Sequence, residues 1–141
     1  DAEAMRPLRD IAEIVVADLE GSPWPLQGRR FDGIVVTHYL WRALLPRITQ
    51  ALGPGGVLIY ETFAEGQERF GRPNNPEFLL QRGELLRAFA DLGIVAYEDG
   101  LETGPERRVQ RIVAVAGQPA GAPGVPGPTP RIAAFEPRRL L

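Results

Sequence analysis

Residues 30–63, RFDGIVVTHYLWRALLPRITQALGPGGVLIYETF, constrain this chain more than any other stretch. Ile34, Val35 and Val36 form a continuous apolar run of strand length. Leu44, Leu45, Ile48 and Leu52 then recur at helical spacing. The run Gly53-Pro54-Gly55-Gly56 stops that helix, because proline lacks a donor and glycine tolerates positive φ. VLIYETF follows as a second strand. A strand, a helix and a strand in immediate succession predict a β-α-β unit with its strands parallel.

The flanking segments extend the pattern. The spacing predicts strands over 12–17, 33–37, 57–61, 94–98 and 109–116, and helices over 41–52 and 83–92. Residues 2–10 read as the end of a further helix, with Pro7 in its first turn or at a kink. The run 12–19, AEIVVADL, is β-branched and short, as expected of a strand buried on both faces. IVAYEDGLE and RRVQRIVAVAG flank a turn at Gly104-Pro105 and predict an antiparallel hairpin. Strands alternating with helices imply an α/β fold, a Rossmann-like doubly wound and mainly parallel sheet with that hairpin at one edge. From Gly117 to Pro130 a proline or glycine occupies most positions and no apolar periodicity remains. Such a stretch buries too little surface to offset its ordering entropy. The expected organisation is therefore an α/β domain over 1–116 and a Pro/Gly-rich flexible tail over 117–141, with docking of its last stretch, RIAAFEPRRLL, left open.

Composition removes several function classes. The net charge of −2 lacks the basic excess that phosphate neutralisation needs, so nucleic acid is not an expected partner. Absence of cysteine excludes thiolate metal sites, cysteine nucleophiles and disulfides, and fits a cytoplasmic setting. No metal site is expected. No apolar run approaches the roughly 20 residues that span a bilayer, and the first residues lack the order of a secretory leader.

In open α/β sheets ligands bind beyond the carboxyl ends of the strands. Those ends carry Asp18, Leu19 and Glu20, then Thr37, His38 and Tyr39, then Glu61, Thr62 and Phe63. His38, the sole histidine, is a candidate base near neutral pH, and Glu61 is the best placed carboxylate for the same work. Each has a plainer reading, as a packed histidine and as a solvated rim charge. Tyr39 and Trp41 are candidates for stacking on a substrate, or for simple packing at the helix start. The long polar loop 64–78 reads as a lid, with Arg72 and Asn74 as its polar contacts.

FDGIVVTHYLWRALLPRITQALGPGGVLIYETF resembles the centre of a class I S-adenosylmethionine-dependent methyltransferase, where FD opens the fourth strand and L-x-P-G-G precedes the fifth. VVADLEGSPWPL is similar to that family's third strand and adenine loop, and VAYEDG…RRVQRIVAVAG to its antiparallel sixth and seventh strands. The resemblance implies strand order 3-2-1-4-5-7-6 and S-adenosyl-L-methionine as cofactor. Asp18 would accept from the adenine amino group, Leu19 would pack on the ring, and Thr37 and His38 would line the cofactor.

The family's glycine-rich first motif, of E/D-x-G-x-G-x-G type, is missing from the sequence, as is an acid at the end of strand two other than Asp1. The chain is thus expected to correspond to the C-terminal two-thirds of such a domain and to bind the cofactor poorly by itself. Strands three and four would be left with unpaired edges, and self-association through them is expected. The functional expectation is methyl transfer to a small-molecule acceptor as part of a larger domain. The alternative is a non-catalytic fragment or interaction module of the same fold. A different nucleotide-binding enzyme is disfavoured, since neither a P-loop nor a dinucleotide fingerprint is present.

Overall fold

The computed structural model describes residues 11–117 and 131–135. The sequence-predicted helical residues 2–10 and most of the Pro/Gly-rich stretch lie outside them. The predicted β-α-β unit is present as β1 (Phe31–Thr37), α1 (Leu45–Ala51) and β2 (Leu52–Phe63), with β1 and β2 parallel. A 3-10 turn, Arg42–Leu44, leads into α1. Pro46 lies in the first turn of α1, where no amide is needed for the helix ladder. The glycine run does more than end the helix. Leu52 already pairs with Phe31, and residues 53–56 then step aside before Val57 pairs with Gly33. A Cβ on Gly56 would lie 2.9 Å from the carbonyl oxygens of Phe31 and Gly53, so only glycine fits there.

The rest of the chain follows as α2 (Glu84–Ala88), β3 (Gly93–Glu102), β4 (Arg107–Val115) and β5 (Ile132–Phe135). The sheet order is β3-β4-β2-β1-β5. β3 and β4 are antiparallel to each other, and β4 is antiparallel to β2. The first four strands thus reproduce the 6-7-5-4 portion of the order that the resemblance implied. From Val57 onward β2 alternates: Leu58, Tyr60 and Thr62 are buried, whereas Val57 and Ile59 are exposed. The buried side meets Leu44, Leu45 and Ile48 of the first helical region and Leu85 and Phe89 at α2 in one core. Among the described residues both helices therefore cover the same face, and the expected double winding is half complete.

Two expectations need correction. Residues 12–17 are not a strand of the sheet. Val15 and Val16 are largely exposed, and Glu13 pairs with Arg29 at 2.9 Å. β-branched propensity makes a segment compatible with a sheet, but a buried parallel strand also needs a hydrogen-bonding neighbour, and none of the described strands pairs with this one. The second correction concerns β1, whose outer edge was expected to be unpaired. β5, from beyond the Pro/Gly-rich stretch, lies parallel along it from Gly33↔Ile132 to Val36↔Phe135.

Candidate functional site

At the carboxyl end of β1 the backbone leaves extended geometry abruptly. His38 has φ +52°, in the left-handed region that costs a non-glycine residue about 1 kcal/mol or more. Its amide still donates to the carbonyl of Glu61 at 2.9 Å, extending the β1–β2 ladder by one residue. Its ring stacks on Phe63, with centroids 5.2 Å apart and planes at 20°. The parallel register Thr37↔Glu61 brings these two strand ends side by side. His38 and Glu61, predicted separately, thus meet: His38 Nε2 is 3.7 Å from Glu61 Oε1.

Neither group stands alone. Arg107 Nη1 lies 3.2 Å from His38 Nε2. A guanidinium only donates, so a hydrogen bond in this contact requires Nε2 to accept. Glu61 accepts from Arg111 Nε and lies 3.7 Å from Arg107 Nη2. Glu102 binds both Arg107 and Arg111, and Glu98 binds Arg111 at 3.2 Å. Hydrogen bonds from Arg111 and Arg107 hold the Glu102 carboxyl below the ordinary glutamate range, while donating to Glu61 and Glu102 pushes Arg111 up. Two guanidiniums therefore face three carboxylates. Proton removal by His38 would first require Arg107 to leave Nε2.

None of Arg107, Arg111, Glu98 and Glu102 was singled out from the sequence. Their signal is a spacing: Arg107 and Arg111 are four apart on one strand of the hairpin, and Glu98 and Glu102 four apart on the other. Residues four apart in a strand share a face, so opposite charges at matched positions predict a cross-strand lattice. A shallow open groove beside it is lined by Glu98, Asp99, Gly100, Leu101, Glu102, Val109 and Arg111.

The remaining predicted residues lie around this rim in different states. Asp18 Oδ1 accepts from the amides of Glu20 and Gly21, at 3.0 and 3.1 Å, which shapes its loop as an Asx turn. Leu19 and Trp41 are partly buried and pack against the core. Thr37 is half-buried at the end of β1. The Tyr39 carbonyl accepts from the Tyr60 hydroxyl at 2.6 Å. Burial, then the nearby carboxylates of Glu20 and Asp18, push the Tyr39 phenol up to about 12. An unfolded tyrosine ionises near pH 10, so the unfolded chain binds fewer protons than the folded one between pH 10 and 12. Stability should therefore decline as pH rises through that window. Urea titrations at pH 9, 10 and 11 should show the decline, with a shallower slope for Tyr39→Phe.

The loop 64–78 is fastened along its length. Gln67 is buried; its Oε1 accepts from the Arg108 amide at 2.8 Å and its Nε2 donates to the Arg72 carbonyl at 3.3 Å. Asn75 caps the turn Pro76–Phe78. Arg42 donates to the carbonyls of Glu77 and Leu79 and to the Glu84 carboxylate. Burial alone would raise Glu84, but the Arg42 hydrogen bonds prevail and hold it low. The side chains of Arg72 and Asn74 are exposed on this loop.

Candidates for only half of a nucleoside-sulfonium cofactor are present. The residues expected on the adenosine side, Asp18, Leu19, Thr37 and His38, are all among the described ones. The glycines that permit close backbone approach, Gly53 and Gly56, are spent against Phe31 at the opposite end of β1. No glycine cradle for the amino-acid part is among the described residues. Nor is any group of three or more histidine or carboxylate side chains arranged to hold a metal ion, nor any helix long and apolar enough to cross a membrane.

No protein-family model matches the sequence, and no curated protein matches it. Solved structures match its fold. The N-methyltransferase NodS from Bradyrhizobium japonicum WM9 superposes with a TM-score of 0.60 at 16% identity, over 83% of this chain and 67% of that one. NodS has also been solved in complex with S-adenosyl-L-homocysteine. The cyclase SpnF gives 0.58 at 15% identity, over 84% and 61%. TehB from Haemophilus influenzae gives 0.51 at 14%, over 62% and 36%. The chain has the class I S-adenosylmethionine-dependent methyltransferase fold, in partial form, and spans from about a third to two thirds of these proteins. A cyclase among them illustrates that the fold carries more than one chemistry.

Proposed function

We propose that this chain supplies the acceptor-side part of an S-adenosylmethionine-dependent methyltransferase domain acting on a small molecule. The observation that carries the reading is the convergence of Thr37, His38, Tyr39, Glu61 and Phe63 where two parallel strands end, within the β3-β4-β2-β1 order. Methyl transfer from a sulfonium is an in-line displacement that depends mainly on positioning. In this reading the His38–Phe63 stack and Tyr39 form a wall for the acceptor. Arg107 holds the His38 lone pair until an acceptor draws it away. Asp18 and Leu19 take the adenine side, and Arg72 and Asn74 reach the acceptor from the loop.

The test is a chemical-shift titration with S-adenosylhomocysteine up to several millimolar. Shifts should cluster at residues 18–21 and 37–39. Asp18→Asn, which keeps an oxygen for the Asx turn, should weaken binding at least about tenfold, since a charged hydrogen bond is worth roughly 1.5–3 kcal/mol. Shifts scattered elsewhere, or unchanged affinity in the variant, would refute the assignment. A second reading, a non-catalytic interaction module, is favoured by one observation. β5 occupies the sheet position beside β1, which in the family order belongs to the strand preceding the glycine-rich motif.

A further inference from the structure

The row Val115, Val57, Gly33, Ile132 crosses the sheet at one level, from β4 through β2 and β1 to β5. The tail therefore leaves the sheet and returns to it at the same end. The separation is three strand spacings, about 14 Å. Sixteen residues, 116–131, connect the two points and reach up to roughly 50 Å when extended. Return to the chain's own edge is thus geometrically easy, and a tether of this length holds its end at a millimolar effective concentration.

Where it lands, β5 is fitted in three ways. The Arg131 carbonyl accepts from the amides of Asp32 and Gly33 at 2.7 and 3.1 Å, and the Arg131 amide donates to Asp32 Oδ2 at 2.8 Å. Ala133 is buried against the core. Phe135 stacks on Trp24 with centroids 5.8 Å apart. Ile132 and Ala134 face outward. Without β5, Ile34 and Val36 would lie on an open apolar edge, which is prone to pair with another chain.

We propose that the outer edge of β1 is a strand-accepting surface and that Ile132–Phe135 is its intramolecular cap, which excludes a second copy of this chain. The intact chain is then monomeric at micromolar concentration, and self-association through β1 is a property of the uncapped state alone. Two measurements test this. The sequence has no cysteine, and a Cβ on Gly33 would lie 3.5 Å from Ile132 Cγ1. Gly33→Cys combined with Ile132→Cys should therefore oxidise to an intramolecular crosslink from 1 to 100 µM (about tenfold or more below the tether's effective concentration). Intermolecular crosslinks in that range, or none at all, would overturn the proposal. Ala133→Asp, which places a charge at the buried position, should give concentration-dependent association by light scattering. A millimolar synthetic peptide of residues 129–137 should return the variant to monomer, which simple misfolding does not allow. A variant that stays monomeric, or that the peptide leaves associated, would overturn it as well.

Discussion

Titrated calorimetrically with S-adenosylmethionine, this chain should show a dissociation constant near a millimolar, not a micromolar. In the proposed site only Asp18 and Leu19 on one side and the carboxyl end of β1 on the other would contact the cofactor. A glycine-rich turn that lets backbone amides approach the amino-acid part is absent from the sequence. So is an internal acid positioned for the ribose. Three or four hydrogen bonds of about 1 kcal/mol each separate micromolar from millimolar binding. The Asx turn at Asp18 is already formed, so little of the deficit comes from ordering that loop. A micromolar constant with one-to-one stoichiometry would mean that other residues replace the glycine-rich turn.

The second large effect concerns Gln110, a fully buried glutamine in β4. Its Oε1 accepts from the Leu85 amide at 3.3 Å, and its Nε2 donates to the Gln81 carbonyl at 2.7 Å. Leu85 lies in the first turn of α2, where an amide has no partner within the helix. Gln110 thus caps that helix from the sheet. Gln110→Leu keeps the volume and removes both bonds. A buried amide left without a partner costs about 1–3 kcal/mol, and the loss at Gln81, nearer solvent, adds less. A total of about 2–4 kcal/mol is expected, a large share of the 5–15 kcal/mol typical of a domain. Urea unfolding should show a lower midpoint at constant slope. A loss below about 1 kcal/mol would show that water satisfies these groups.

Gln110 also marks a limit of reading by pattern. In RRVQRIVAV it sits in the same alternation as Ile112 and Ala114, which is the buried face. The alternation alone therefore predicts its burial, but its partners at 81 and 85 are separated from it by the whole of β3. The charge lattice is similar. Glu61 meets Arg111 across fifty residues, and the spacing in β3 and β4 becomes informative only once the register Glu98↔Arg111 is known.

By itself the sequence determined the β1–α1–β2 unit, the place of α2 (though it predicted 83–92 and only Glu84–Ala88 is helical) and the β3–β4 hairpin. Each is written in local periodicity and bounded by glycine or proline. It also determined that polar and aromatic residues gather at the ends of parallel strands. The tertiary structure alone decided which strand-competent segments become strands. Residues 12–17 have the stronger β-branched character, yet the paired segment is Ile132–Phe135, with two alanines at its centre. Strand formation requires a free edge, a matching register and room for the inward side chain, and these are properties of β1 that neither segment carries in its own sequence.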